Sequence, residues 1–110
     1  MIIGTRLLKL KGPKGETDVP VRINAPEEKN GEWICRYEID WPNEPVARWG
    51  SGLDSVEAIF RALQMIGIEL YGSDYHKANR LWWLEPGLGY GFPVTNNVRD
   101  LLVGLDKRYL

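Results

Sequence analysis

GLDSVEAIFRALQMIGIEL, from Gly52 to Leu70, is where the hydrophobic period of this 110-residue chain switches. Val56, Ile59, Phe60, Leu63, Ile66, Gly67 and Leu70 recur at i, i+3, i+4, i+7, i+10, i+11 and i+14, one continuous face of a helix. Ala58, Ala62 and Met65 widen that face and leave Glu57, Arg61 and Gln64 as the main polar line. The pattern predicts a helix over Ser55–Tyr71. Asp54 stands just before it with Glu57 three residues on, close to the spacing of a capping box, so the acidic pair starts the helix. A catalytic dyad would need a cleft and a partner base that the local sequence does not supply. Gly67 on the apolar face costs about 1 kcal/mol of helix stability relative to alanine, and would let another backbone approach closely there.

Before Gly52 the period is two. Leu8 and Leu10 alternate with Lys9 and Lys11, and GPKG (Gly12–Gly15) punctuates a turn. Val19, Val21 and Ile23 share one side of the next strand. Pro20 has no N–H for a ladder, which predicts an edge strand or an outward-facing nitrogen. Asn30-Gly31 is a hairpin signal because both residues tolerate positive φ. Glu32–Asp40 then places Trp33, Cys35, Tyr37 and Ile39 on one face against Arg36, Glu38 and Asp40. Trp41–Pro45 reads as a turn and Val46–Trp49 as a short strand. The expected fold is α+β: an antiparallel meander of four to five strands, the main helix packed on one face, and a short C-terminal helix. The whole of 1–110 reads as one domain.

Beyond Gly72 the pattern is weaker. Ser73–Arg80 reads as a loop or a short helical turn capped by Ser73 or Asp74, and Arg80–Pro86 as extended chain with Trp82 and Trp83 on opposite faces. Gly87, Gly89 and Gly91 alternate with Leu88, Tyr90 and Phe92. A last helix is expected from Asn96 or Asn97, with Val98, Leu101, Leu102 and Leu105 on one face.

Composition excludes several classes. A net charge of −1 creates no general field for nucleic acid or an anionic membrane. The basic run Arg6–Lys14 and the acid-rich residues 32–57 read as solvated strand faces. One cysteine, Cys35, and one histidine, His76, leave little with which to build a metal centre, so no metal and no cofactor is expected. The first residues lack a basic stretch followed by an apolar run of roughly 7–15 residues, which points to the cytoplasm.

The alternating glycines resemble neither the dinucleotide nor the P-loop spacing. They read as a loop with aromatic rings packed on its bare side rather than a phosphate cradle. Cys35, on an apolar strand face, reads as a small buried hydrophobe. His76 reads first as a surface histidine; as a base it would need neighbours that only the fold can bring. The five tryptophans exceed what so small a core requires, and exposed Trp and Tyr make binding hot spots. Trp41, Trp49, Trp82, Tyr90 and His76 are therefore the candidate binding residues, with no catalytic residue named.

Residues Trp33–Leu70 carry Trp-x-Cys-x-aromatic-x-Ile on a strand and then Gly-x-Asp-Ser-x-x-Ala at a helix start. In this the chain resembles a family of small uncharacterised bacterial proteins, and the likeness implies an unassigned domain rather than an activity. By analogy of size and organisation, an immunity-type inhibitor of a bacterial toxin is one role to expect. The residues thus point to a non-enzymatic module whose partner is another protein. The alternative is a small enzyme or ligand-binding protein with a pocket built from His76, Asp74, Tyr75 and the Gly87–Phe92 loop. A homodimer through Ile68 and an exposed Trp is a third arrangement.

Overall fold

Period-two alternation builds the sheet. The computed structural model describes residues 1–110, with strands β1 (Ile2–Gly12), β2 (Gly15–Asn24), β3 (Glu27–Lys29), β4 (Glu32–Ile39), β5 (Val46–Gly52) and β6 (Leu81–Trp82). The helices are α1 (Ser55–Gly72), α2 (Asp74–Lys77) and α3 (Gly104–Tyr109), with a 3-10 helix at Asn96–Leu101. The fold is α+β. All strand pairs are antiparallel, and β1, β2, β4 and β5 form a meander as their alternation predicts. Two short strands extend it: β3 follows β2 along the same side of β4, and β6 adds to β1 through Lys9–Trp82 and Leu10–Leu81. No helix is long and apolar enough to cross a membrane.

Leu8, Leu10, Val19, Val21, Cys35, Tyr37 and Ile39 point into the core from successive strands. On the opposite face the charges pair across strands: Lys9 with Asp18 at 2.6 Å and Arg22 with Asp40 at 2.8 Å. The basic run and the acid-rich segment are thus partly solvated faces of one sheet. Pro20 lies in a central strand, so the edge reading of β2 fails. Its carbonyl accepts from the Asp40 N–H at 3.0 Å, and its missing donor points the same way, where pairing with β4 ends at Val21–Ile39.

The cap forms as read: the Asp54 carboxylate accepts from the Glu57 N–H, and the Glu57 carboxylate accepts from the Leu53 N–H, both at 2.8 Å. The buried line of α1, however, is Ala58, Ala62, Ile66 and Leu70, whereas Val56 and Phe60 are 71% and 52% exposed. The cause lies in β5. A Cβ at Gly50 would stand 2.4 Å from the Ala62 nitrogen, and one at Gly52 2.6 Å from the Ala58 nitrogen. The helix lies backbone-to-backbone on this strand, which only its alanine line permits. Gly67 seats a second chain crossing, because a Cβ there would lie 2.0 Å from the Pro93 carbonyl oxygen.

The expected single C-terminal helix is instead two pieces. Leu102 leaves the 3-10 helix in an extended conformation and enters the core, while Leu101 and Leu105 remain partly exposed. Gly104 then takes a φ of 58°, and a Cβ on it would meet the Gly87 carbonyl oxygen at 2.5 Å. One uninterrupted helix could not admit that crossing.

Candidate functional site

The end of α1 sets up the site. The Ser73 hydroxyl caps α2 by accepting from the His76 N–H at 3.1 Å, and Asn79, at a φ of 57°, ends the turn. The chain then reverses onto β1: the Lys11 N–H donates to the Arg80 carbonyl at 2.8 Å, and Arg80 Nε donates to the Lys11 carbonyl at 2.7 Å. This clamp fixes β6, and the glycine-rich segment returns opposite α2. Between them lies a cleft of about 480 Å³, lined chiefly by His76, Asn79, Leu81, Trp82, Gly87 and Tyr90. That volume lies within the range typical of small-molecule sites.

His76 is half-buried rather than a free surface group. Its Nδ1 bonds the Tyr90 hydroxyl, and its ring stands edge-on to Tyr71 and Tyr90 at centroid distances of 4.8 and 5.5 Å. Burial, assisted by the charge of Lys77, lowers its pKa below the ordinary value, so the imidazole is neutral at physiological pH. Burial also pushes the Tyr90 hydroxyl above the usual tyrosine range, and the charge of Asp106 adds to this. The cleft therefore presents neutral groups.

Beneath it sits a residue the sequence pattern did not single out. Asp106 is 2% exposed. One carboxylate oxygen accepts from the Gly91 N–H at 2.8 Å; the other accepts from the Tyr90 N–H at 2.8 Å and the Tyr71 hydroxyl at 2.5 Å. A Cβ at Gly89, whose φ is 89°, would fall 2.5 Å from that carboxyl carbon. Arg6 completes the support, donating to the carbonyls of Tyr90 at 3.2 Å and Gly91 at 2.9 Å, with its guanidinium 3.8 Å from the centre of the Trp83 ring. The glycines thus make an anion-holding backbone turn, and the anion it holds is the chain's own carboxylate. On the other side of Gly89 lies a smaller pocket of about 190 Å³ with an apolar lining that includes Trp83, Leu84, Leu88 and Leu105.

Of the five residues singled out by sequence, His76, Trp82 and Tyr90 converge on the cleft. Trp41 does not; it is nearly buried and stacks on Tyr75 at 4.9 Å. Trp49 is 56% exposed on β5, beside Arg36 on the open sheet face. Asp74 and Tyr75 lie outside the cleft, in a groove shared with Trp41. Trp82 and Trp83 are both half-buried. Asn79, Tyr71, Arg6 and Asp106 were missed. Only Asp106 left a trace, as an acid directly after the apolar run Leu101–Leu105. No three His, Cys, Asp or Glu side chains gather into a metal-binding group.

No curated protein matches the chain, and no solved structure does. A family model does match: residues 4–94 fit the family described as a domain of unknown function, DUF6968, and the chain belongs to that family.

Proposed function

We propose that this protein binds a small ligand in the cleft between α2, β6 and the glycine loop, without turning it over. The observation that carries the reading is the convergence of His76, Trp82 and Tyr90 on one concave site, beside the backbone of Gly87 and Gly89. Binding is favoured over catalysis because the cleft lining contains no Ser, Cys, Asp, Glu or Lys side chain. The one buried carboxylate nearby, Asp106, spends both oxygens on donors within the chain. A fragment screen followed by amide chemical shifts tests this reading. Saturable shifts confined to residues 76–90 support it; a library that perturbs no cleft residue overturns it.

A second reading has its own observation. Trp49 and Phe60 line one groove, Val56 is one helical turn from Phe60, and Leu53, just ahead of α1, is 90% exposed. Exposed apolar side chains in one region mark a protein-docking surface. A partner protein bound there, with immunity-type inhibition as one case, would co-purify with the wild-type chain and be lost on Trp49→Ala with Phe60→Ser. Failure to capture any partner counts against it.

A further inference from the structure

We infer that the cleft's ligand is an uncharged flat ring carrying an amide or lactam edge. This rests on the cleft being a ligand site, as proposed above. Its side chains carry no fixed charge. A charged ligand would leave water without an ionic partner in return, an unfavourable exchange. Flatness follows from the aromatic lining of Trp82, Tyr90 and His76: the His76 and Tyr90 rings stand at 75° to each other, so a planar ligand can stack on one while meeting the other edge-on.

The amide edge follows from the hydrogen-bonding groups. His76 uses Nδ1 on Tyr90, while Nε2 has no partner within the chain and is not buried. The Tyr90 hydroxyl has a second acceptor within reach, the Leu81 carbonyl at 3.4 Å. If its proton goes to Nδ1, Nε2 carries hydrogen and donates; if it goes to Leu81, Nδ1–H donates to the phenol and Nε2 accepts. Asn79 supplies both a donor and an acceptor from one amide. Two groups that each present either role complement a ligand edge holding donor and acceptor side by side.

The test uses three close analogues and the full chain, read by amide chemical shifts and tryptophan fluorescence. Nicotinamide has the flat ring and the amide, nicotinate has the same ring with a carboxylate, and cyclohexanecarboxamide has the amide without a flat ring. Nicotinamide is expected to shift residues 76–90 saturably, with the other two at least tenfold weaker. Asn79→Gly, at a φ of 57° that glycine adopts freely, is expected to weaken nicotinamide at least fivefold while the far-ultraviolet spectrum stays unchanged. Trp82→Leu does the same if its fold holds. Nicotinate or cyclohexanecarboxamide binding as well as nicotinamide overturns the inference, as does choline binding more tightly than all three. If none of these shifts the cleft but other fragments do, this inference fails and the ligand-site reading stands. If nothing shifts it, both fail.

Discussion

Removing the Asp106 carboxylate should loosen the loop that walls the cleft, and the size of the effect follows from its bonds. Asp106→Ala deprives two backbone N–H groups and the Tyr71 hydroxyl of their acceptor, all at 2.8 Å or less. Hydrogen bonds to a charged group contribute about 1.5–3 kcal/mol each, but the sum overstates the loss because water enters the space vacated. Arg6 is also left half-buried with its nearby counter-charge gone. We expect a loss of about 3–5 kcal/mol, the usual consequence of removing one member of a buried charged network. For a chain of this length that lowers Tm by roughly 12–20 °C. Asp106→Asn keeps the volume but turns an NH2 toward a donor, so it should recover only part of the loss. The decisive assay is urea unfolding of Asp106→Ala in sodium formate against sodium chloride of equal ionic strength. Formate supplies the missing carboxylate, and at about ten times its Kd it restores roughly 1.4 kcal/mol. The reasoning is refuted if Asp106→Ala unfolds within about 1 kcal/mol of the parent, or if formate and chloride act alike.

Three further outcomes follow from the same packing. Gly50→Ala places a Cβ 2.4 Å from the Ala62 nitrogen, so α1 must retreat at a cost of about 1–3 kcal/mol in urea unfolding. Adding Ala62→Gly should not restore stability, because the collision is with main chain. Toward acid, the lowered pKa of His76 means the unfolded chain takes up the proton first: its contribution is intact above the ordinary value of 6.5 and is lost as pH falls through the lower folded value. Urea midpoints measured across that interval should decline for the parent and less steeply for His76→Gln. Toward alkali, burial raises Tyr37, Tyr71 and Tyr90 above the ordinary value of 10.0, so stability present below that pH is lost as pH rises past it. In a spectrophotometric titration these three phenols should ionise together with unfolding; early ionisation of all five tyrosines would contradict the packing described.

The legible parts of this fold are those where one residue's pattern determines its place. Alternation through Leu8–Leu10, Val19–Ile23 and Trp33–Ile39 locates three core strands, and Asn30-Gly31 and Asp54 locate a turn and a cap. The rotation of α1 was illegible because hydrophobic pattern weights large side chains, whereas Gly50 and Gly52 reward the smallest ones. Trp41 was misplaced for a similar reason: its stacking on Tyr75 depends on where α2 returns to the sheet. Half of the candidate site was visible as residue types, since His76, Trp82 and Tyr90 are unusual side chains in a segment without clear periodicity. The supporting half was not. Arg6 lies 84 positions from Tyr90, and Tyr71 lies 35 from Asp106. No local spacing rule links such residues.

The glycine loop shows how a motif can be misjudged in both directions. Read as a phosphate cradle it lacks the accompanying residues; read as inert packing it serves only aromatic rings. In the fold it does what a cradle does, since consecutive N–H groups of Tyr90 and Gly91 converge on one carboxylate. Because α3 supplies that carboxylate from within the chain, the loop is held rigid and its anion-binding capacity is already used. A ligand in the proposed cleft would meet the loop's other face. That face offers Tyr90, Trp82, His76 and the bare backbone of Gly87, and no charge. The same Asp106 therefore closes the loop to anions and fixes it as one wall of the neighbouring cleft.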